Sequence, residues 1–129
     1  MTKVFLIADD SPDKRMFLRS ILQHAHWDGN IFEATTTEES FSLIDAHPDI
    51  AAAFIDYEMP TQNGPAVIRK LRSTNPKAHI ALVTATDSKR YEEDAREAGA
   101  DAFVCSSWVE NRLVKALMDF LEEWKVNHL

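Results

Sequence analysis

Ala51–Pro60 reads AAAFIDYEMP, and with Ile50 before it the chain gives an apolar run, IAAAFI, that stops on the carboxylate of Asp56. A run without polar alternation suits a strand buried on both faces, the condition of a parallel sheet covered by helices. A strand of that kind ending on a carboxylate has two readings. Asp56 either caps the strand where it reaches solvent, or it is a reactive group held at the end of a rigid element.

The neighbouring sequence repeats the pattern. VFLIA (Val4–Ala8) and IALV (Ile80–Val83) are equally apolar; AFVC (Ala102–Cys105) and NIFEA (Asn30–Ala34) are weaker versions. Helix signals separate them. Ser11-Pro12 offers an N-cap and a first-turn proline before Met16, Phe17, Ile21 and Leu22. Thr36 and Glu39 form a capping-box pattern, as do Ser107 and Glu110. Asn63-Gly64-Pro65 opens a segment with Val67, Ile68 and Leu71 at helical spacing, and Asp87 is expected to cap a segment closed by Gly99. Strand and helix alternate through five repeats, which predicts one α/β domain over residues 1–129 with a parallel sheet.

Composition narrows the function classes. The 129 residues carry a formal charge of -7 and are 45% hydrophobic, an ordinary globular balance. An acidic chain is a poor sequence-independent binder of nucleic acid, which takes clustered Lys and Arg. The basic groups Lys14-Arg15, Arg69-Lys70-Arg72 and Lys89-Arg90 are short and read as solvated helix faces. No apolar run reaches the roughly 18 to 20 residues of a membrane helix, and the N-terminus lacks a secretory pattern. The lone Cys105 can form no internal disulfide. A cytoplasmic protein without membrane or nucleic-acid partners is expected.

In an open α/β sheet the ligand crevice lies outside the carboxyl ends of the strands. Those ends hold Asp9-Asp10, Asp56, Thr84 and Cys105-Ser106-Ser107. Carboxylates converging on one edge call for a cation, and a hard oxygen set suits Mg²⁺. Asp10 and Asp56 are the best direct ligands, with Asp9 direct or through water. The plainer alternative, that Asp9 and Asp10 only begin a turn, is disfavoured by Asp56 ending an equally apolar strand. An aspartate beside such an ion can act as a nucleophile toward phosphorus. Thr84 could then donate to a phosphoryl oxygen, as could backbone N–H groups near Ala85.

These residues resemble the receiver domain of bacterial two-component response regulators over nearly the whole chain, Lys3 to about Trp124. The resemblance rests on Asp9-Asp10, the FIDYEMPTQNG segment around Asp56, the VTA segment with Thr84, and GADAF at Gly99–Phe103. It implies a flavodoxin-like, doubly wound (βα)5 fold, a five-stranded parallel sheet flanked by five helices. It implies phosphorylation of Asp56 by a sensor histidine kinase or a histidine phosphotransfer protein. It further implies Mg²⁺ held by Asp9, Asp10, Asp56 and the backbone carbonyl of Glu58, with Thr84 and Phe103 as the switch. Such a domain is a phosphoacceptor, with possible self-catalysed phosphorylation and dephosphorylation, rather than an enzyme.

One departure matters. Where the family carries a lysine, a cis-proline and an aromatic after its fifth strand, this chain has Ser106, Ser107 and Trp108. Replacing a charge-assisted hydrogen bond by a neutral one loses about 1 or 2 kcal/mol. That weakens switching without abolishing transfer, and Lys89 or Arg90 could act as a substitute cation. Without the proline, the peptide before Ser107 is expected to be trans. The leading reading is a stand-alone phosphoacceptor that signals through an output protein or a self-dimer, the latter through an exposed apolar strip on the last helix. Phe120 is expected in the core, with Trp108 and Trp124 open between core and interface. The second reading is a pseudo-receiver whose output does not depend on phosphorylation. A third, a haloacid-dehalogenase-type phosphohydrolase, fits poorly because that class places a DxD motif after its first strand.

Overall fold

In the computed structural model, which describes residues 3–27 and 29–127, strand and helix alternate throughout. The order is β1 (Val4–Ala8), α1 (Pro12–His24), β2 (Asn30–Ala34), α2 (Thr37–Ala46), β3 (Ile50–Ile55), α3 (Gly64–Thr74), β4 (His79–Thr84), α4 (Lys89–Ala98), β5 (Ala102–Cys105) and α5 (Glu110–Asn127). All strand pairs are parallel, in the order β2-β1-β3-β4-β5. The chain thus winds one way from β1 to β2 and the other way from β3 onward, so the switch point lies between β1 and β3.

The apolar runs do what their lack of alternation requires. Along β1, Val4, Leu6 and Ala8 pack into one core with Ile44, Ile68 and Leu71; Phe5 and Ile7 pack into a second with Leu22, Leu117 and Trp124. Successive side chains point to opposite faces, so both faces of a central strand must be apolar. β3 repeats this, with Ala53 and Ile55 in the first core and Ala52 and Phe54 in the second. By contrast β2, at the sheet edge, buries only Ala34 fully, which explains its weak sequence signal.

Helix starts follow the expected chemistry with two corrections. The side chains of Ser11 and Thr36 accept from Lys14 N and Glu39 N, as expected of caps. Helix α4 is capped by Ser88 rather than Asp87: the Ser88 hydroxyl accepts from Tyr91 N, which frees Asp87 to accept from Trp108 Nε1 at 3.2 Å. Ser107 does not cap α5, which begins at Glu110. Ser107 sits in a turn where Trp108 N donates to Cys105 O at 3.1 Å and its hydroxyl lies 2.9 Å from Cys105 Sγ. No cis peptide occurs among the described residues, so the bond before Ser107 is trans as expected.

The exposed apolar strip expected on the last helix is absent from the described part of α5. Leu113, Leu117, Phe120, Leu121 and Trp124 are all buried, and the exposed large hydrophobics among the described residues are Met16 and Val109. Phe120 is therefore core as expected, and Trp124 joins it. Trp108 is half-buried, edge-on to Phe103 at 6.5 Å and under the Arg112 guanidinium at 3.7 Å. Among the described residues no helix is long and apolar enough to cross a membrane.

Candidate functional site at the carboxyl edge of the sheet

Parallel pairing brings the strand ends together. Ala8 is in register with Ile55, so the residues that follow them, Asp9 and Asp56, emerge side by side at the switch point. Backbone bonds continue the ladder past the strand ends: Asp9 N donates to Ala34 O at 2.9 Å, Asp56 N to Ala8 O at 2.8 Å, and Ser106 N to Thr84 O at 2.7 Å. The carboxylates are thereby fixed by main chain rather than by flexible loops.

Asp9, Asp10 and Asp56 each place a carboxylate oxygen within 4.8 Å of the others. Asp9 and Asp56 are buried and Asp10 is exposed. Asp9 Oδ1 accepts from Ser11 N at 2.9 Å, while its buried Oδ2 has no aligned hydrogen-bond donor among the described residues. Three grouped carboxylates, one with a buried oxygen that lacks an aligned hydrogen bond, are a donor set that fits a hard divalent cation such as Mg²⁺. Burial pushes the Asp56 carboxyl up to about 6; Lys14 opposes that shift, and the charges of Asp9 and Asp10 add to it.

Lys14 is the residue the sequence reading misplaced. Its helix position suggested a solvated face, yet its ammonium lies 2.9 Å from Asp9 Oδ2, 3.2 Å from Asp56 Oδ1 and 2.6 Å from Val83 O. The contact with Asp9 Oδ2 is an ion pair without hydrogen-bond alignment, which reconciles it with the orphaned state of that oxygen. Pro12 starts α1 directly after the acidic pair, so the first turn stands over the site and Lys14 has only to reach down. A cation in the first turn opposes the helix dipole. That mismatch was the available signal. Its neighbour Arg15 also turns inward, donating to Asp9 O at 2.8 Å and pairing with Glu33. Lys89 and Arg90, considered as substitute cations, are both exposed, and Arg90 faces Asp94.

The other named residues lie around this centre. Thr84 is buried at the end of β4, its hydroxyl accepting from Thr86 N at 3.4 Å. Phe103 is half-buried against the core that contains Ile55 and Leu82. The Glu58 side chain turns toward α4, accepting from Thr86 Oγ1 at 3.2 Å and from the Tyr91 hydroxyl at 3.1 Å. Tyr91 also stacks on Tyr57 with ring centroids 3.6 Å apart, and the Tyr57 hydroxyl donates to Asp94 at 2.8 Å. Burial, and then the Asp94 carboxylate, hold the Tyr57 phenol above its usual range. This link from the Asp56 loop to α4 was not read from the sequence, which pairs neither Tyr57 nor Glu58 with Tyr91.

The sequence model of the response regulator receiver domain matches residues 5–118. The chain is 31% identical over 118 residues to chemotaxis protein CheY of Thermotoga maritima, covering 91% of this chain and 96% of that protein. It is also 31% identical over 120 residues to protein CcdB of Bacillus subtilis, covering 91% and 95%. A 29% match to the peroxide stress-activated histidine kinase mak3 of Schizosaccharomyces pombe spans only 5% of that much longer protein. Among solved structures, a CheY-like receiver domain protein from Methanospirillum hungatei superposes with a TM-score of 0.75 at 22% identity, covering 98% of this chain and 99% of that one. The CheX–CheY–BeF3–Mg²⁺ complex from Borrelia burgdorferi gives 0.77 at 21% identity, covering 93% and 89%.

Proposed function

The chain belongs to the response regulator receiver domain family, and from that premise we propose that it accepts a phosphoryl group on Asp56 and signals by protein contact. The observation that carries the proposal is the cluster of Asp9, Asp10 and Asp56 at the switch point of the sheet, with Asp56 buried and fixed by its backbone bond to Ala8.

An oxygen of the Asp56 carboxylate attacks phosphorus and forms the new P–O bond. The bond from phosphorus to the donor breaks, and its electron pair leaves on an imidazole nitrogen of a phosphohistidine or on the carboxylate of an acyl phosphate. Mg²⁺ held by Asp9, Asp10, Asp56 and the Glu58 carbonyl would neutralise charge on the phosphoryl oxygens. The residues' own part is positional: Asp9 and Asp56 are held by the sheet ladder, and Thr84 at the end of β4 offers a hydroxyl. Thr84 and Phe103 would pass the change toward the β5–α5 side, where Ser106 can offer only a neutral hydroxyl.

The donor is a sensor histidine kinase or a histidine phosphotransfer protein, and the output is a partner protein or a second copy of the chain. Such a domain works in the cytoplasm, as a phosphoacceptor and not as a turnover enzyme, without binding nucleic acid itself. The competing reading, a pseudo-receiver indifferent to phosphorylation, draws support from the neutral Ser106. Incubation with acetyl phosphate and Mg²⁺, followed by intact mass measurement, separates the two. A gain of about 80 Da that disappears in Asp56→Asn supports acceptance. No gain in the parent protein supports the pseudo-receiver.

A further inference from the structure

We propose that Lys14 is the resident cation of this site: it holds Asp9 and Asp56 together when no metal is bound, and it pairs with the phosphoryl group once one is attached to Asp56. The second half rests on the phosphoacceptor reading above; the first does not. The charge that β5 lacks at Ser106 would thereby come from the first turn of α1.

Three observations carry the inference. The ammonium has three oxygen neighbours: it donates to Asp56 Oδ1 and Val83 O and is ion-paired with Asp9 Oδ2. Its side chain is only 13% exposed, so this is not a solvated lysine resting on a surface. Finally, the two carboxylates it bridges are both members of the acidic cluster, so ammonium and metal ion compete for the same two carboxylates.

The competition has a direction. A divalent ion entering between Asp9 and Asp56 competes with the ammonium for the negative charge of both. Removing the ammonium therefore strengthens metal binding to the empty site. After phosphorylation the balance reverses, because the phosphoryl group brings new negative charge to Asp56 beside Lys14. A flexible four-carbon stem lets the ammonium follow that charge. Removing it then weakens retention of the phosphoryl group or of its analogue.

The test compares the parent protein with Lys14→Met, Lys14→Gln and the double variant Lys14→Met/Ser106→Lys, each checked for folding by circular dichroism. Calorimetric titration with Mg²⁺ alone reads the first half, and titration with beryllofluoride at saturating Mg²⁺ reads the second. Both single variants should bind Mg²⁺ about tenfold more tightly and beryllofluoride about tenfold more weakly. The double variant should regain beryllofluoride affinity, the cation having been restored from β5. Unchanged Mg²⁺ affinity in both single variants overturns the resident-cation role. Unchanged beryllofluoride affinity in them overturns the pairing with the phosphoryl group. If the parent itself binds Mg²⁺ but no beryllofluoride, the phosphoacceptor reading fails, and the Mg²⁺ arm still decides the role of Lys14.

Discussion

The backbone of Gly64 passes so close to Asp56 that a Cβ on residue 64 would lie 2.1 Å from the Asp56 carbonyl oxygen. Gly64 N donates to Tyr57 O at 2.7 Å, so the start of α3 is laced to the segment that carries the proposed acceptor. The contact is with main chain, which cannot swing aside as a side chain could. Gly64→Ala should therefore push the Asp56 loop and α3 apart, destabilising the protein by roughly 2 kcal/mol. Urea denaturation measures that loss. Phosphoryl acceptance should fall at the same time, as loss of alignment is costly even when every reacting group remains.

Asp56 also makes stability depend on pH. Its folded carboxyl, raised to about 6 from an ordinary 3.8, binds a proton more tightly than the unfolded chain does. Its contribution is thus fully present below about pH 4 and is lost as the pH rises through 6. At neutral pH the ionised, buried group costs on the order of 2 to 3 kcal/mol. In the presence of a chelator, Asp56→Asn should be the more stable protein at pH 7, with the advantage shrinking toward pH 4. Thermal unfolding across that range checks it.

Metal binding follows from the same competition. A proton on Asp56 removes one ligand, so Mg²⁺ affinity should be steady near pH 7.5 and decline as the pH falls through 6. Removing Mg²⁺ with a chelator should prevent labelling of Asp56 by acetyl phosphate at every pH.

The Tyr57–Tyr91 stack tethers α4 to the acceptor loop. Tyr91→Ala should cost about 1 kcal/mol beyond the lost burial and raise hydrogen exchange in α4. Tyr91→Phe keeps the stack and removes only the bond to Glu58, so its effect should be smaller.

Much of this arrangement was legible in the sequence because it follows from periodicity and from strand ends. The β3 run IAAAFI suits a doubly buried strand, as do VFLIA and IALV, and these form the sheet centre. Placing Asp9 beside Asp56 then required nothing beyond parallel pairing. What stayed hidden depends on the reach of single side chains. Lys14 gives only the weak signal of a cation in a first helical turn, and its reach to Asp9 and Asp56 is seen only in the folded chain. Ser88 and Asp87 are both good caps, and only the demand of Trp108 for an acceptor separates them. The burial of Trp124 depends on how α5 lies against Trp27 and the β1 side of the sheet, which no local pattern encodes.

The central claim, that Asp56 is the phosphoryl acceptor, is tested most directly by trapping the acyl phosphate where it forms. Borohydride reduces an aspartyl phosphate to homoserine, and peptide mass mapping then locates the converted residue. After treatment with acetyl phosphate and Mg²⁺, homoserine should appear at position 56 and at no other aspartate. Homoserine at Asp9 or Asp10, or none anywhere in a folded, Mg²⁺-bound protein, would contradict the account.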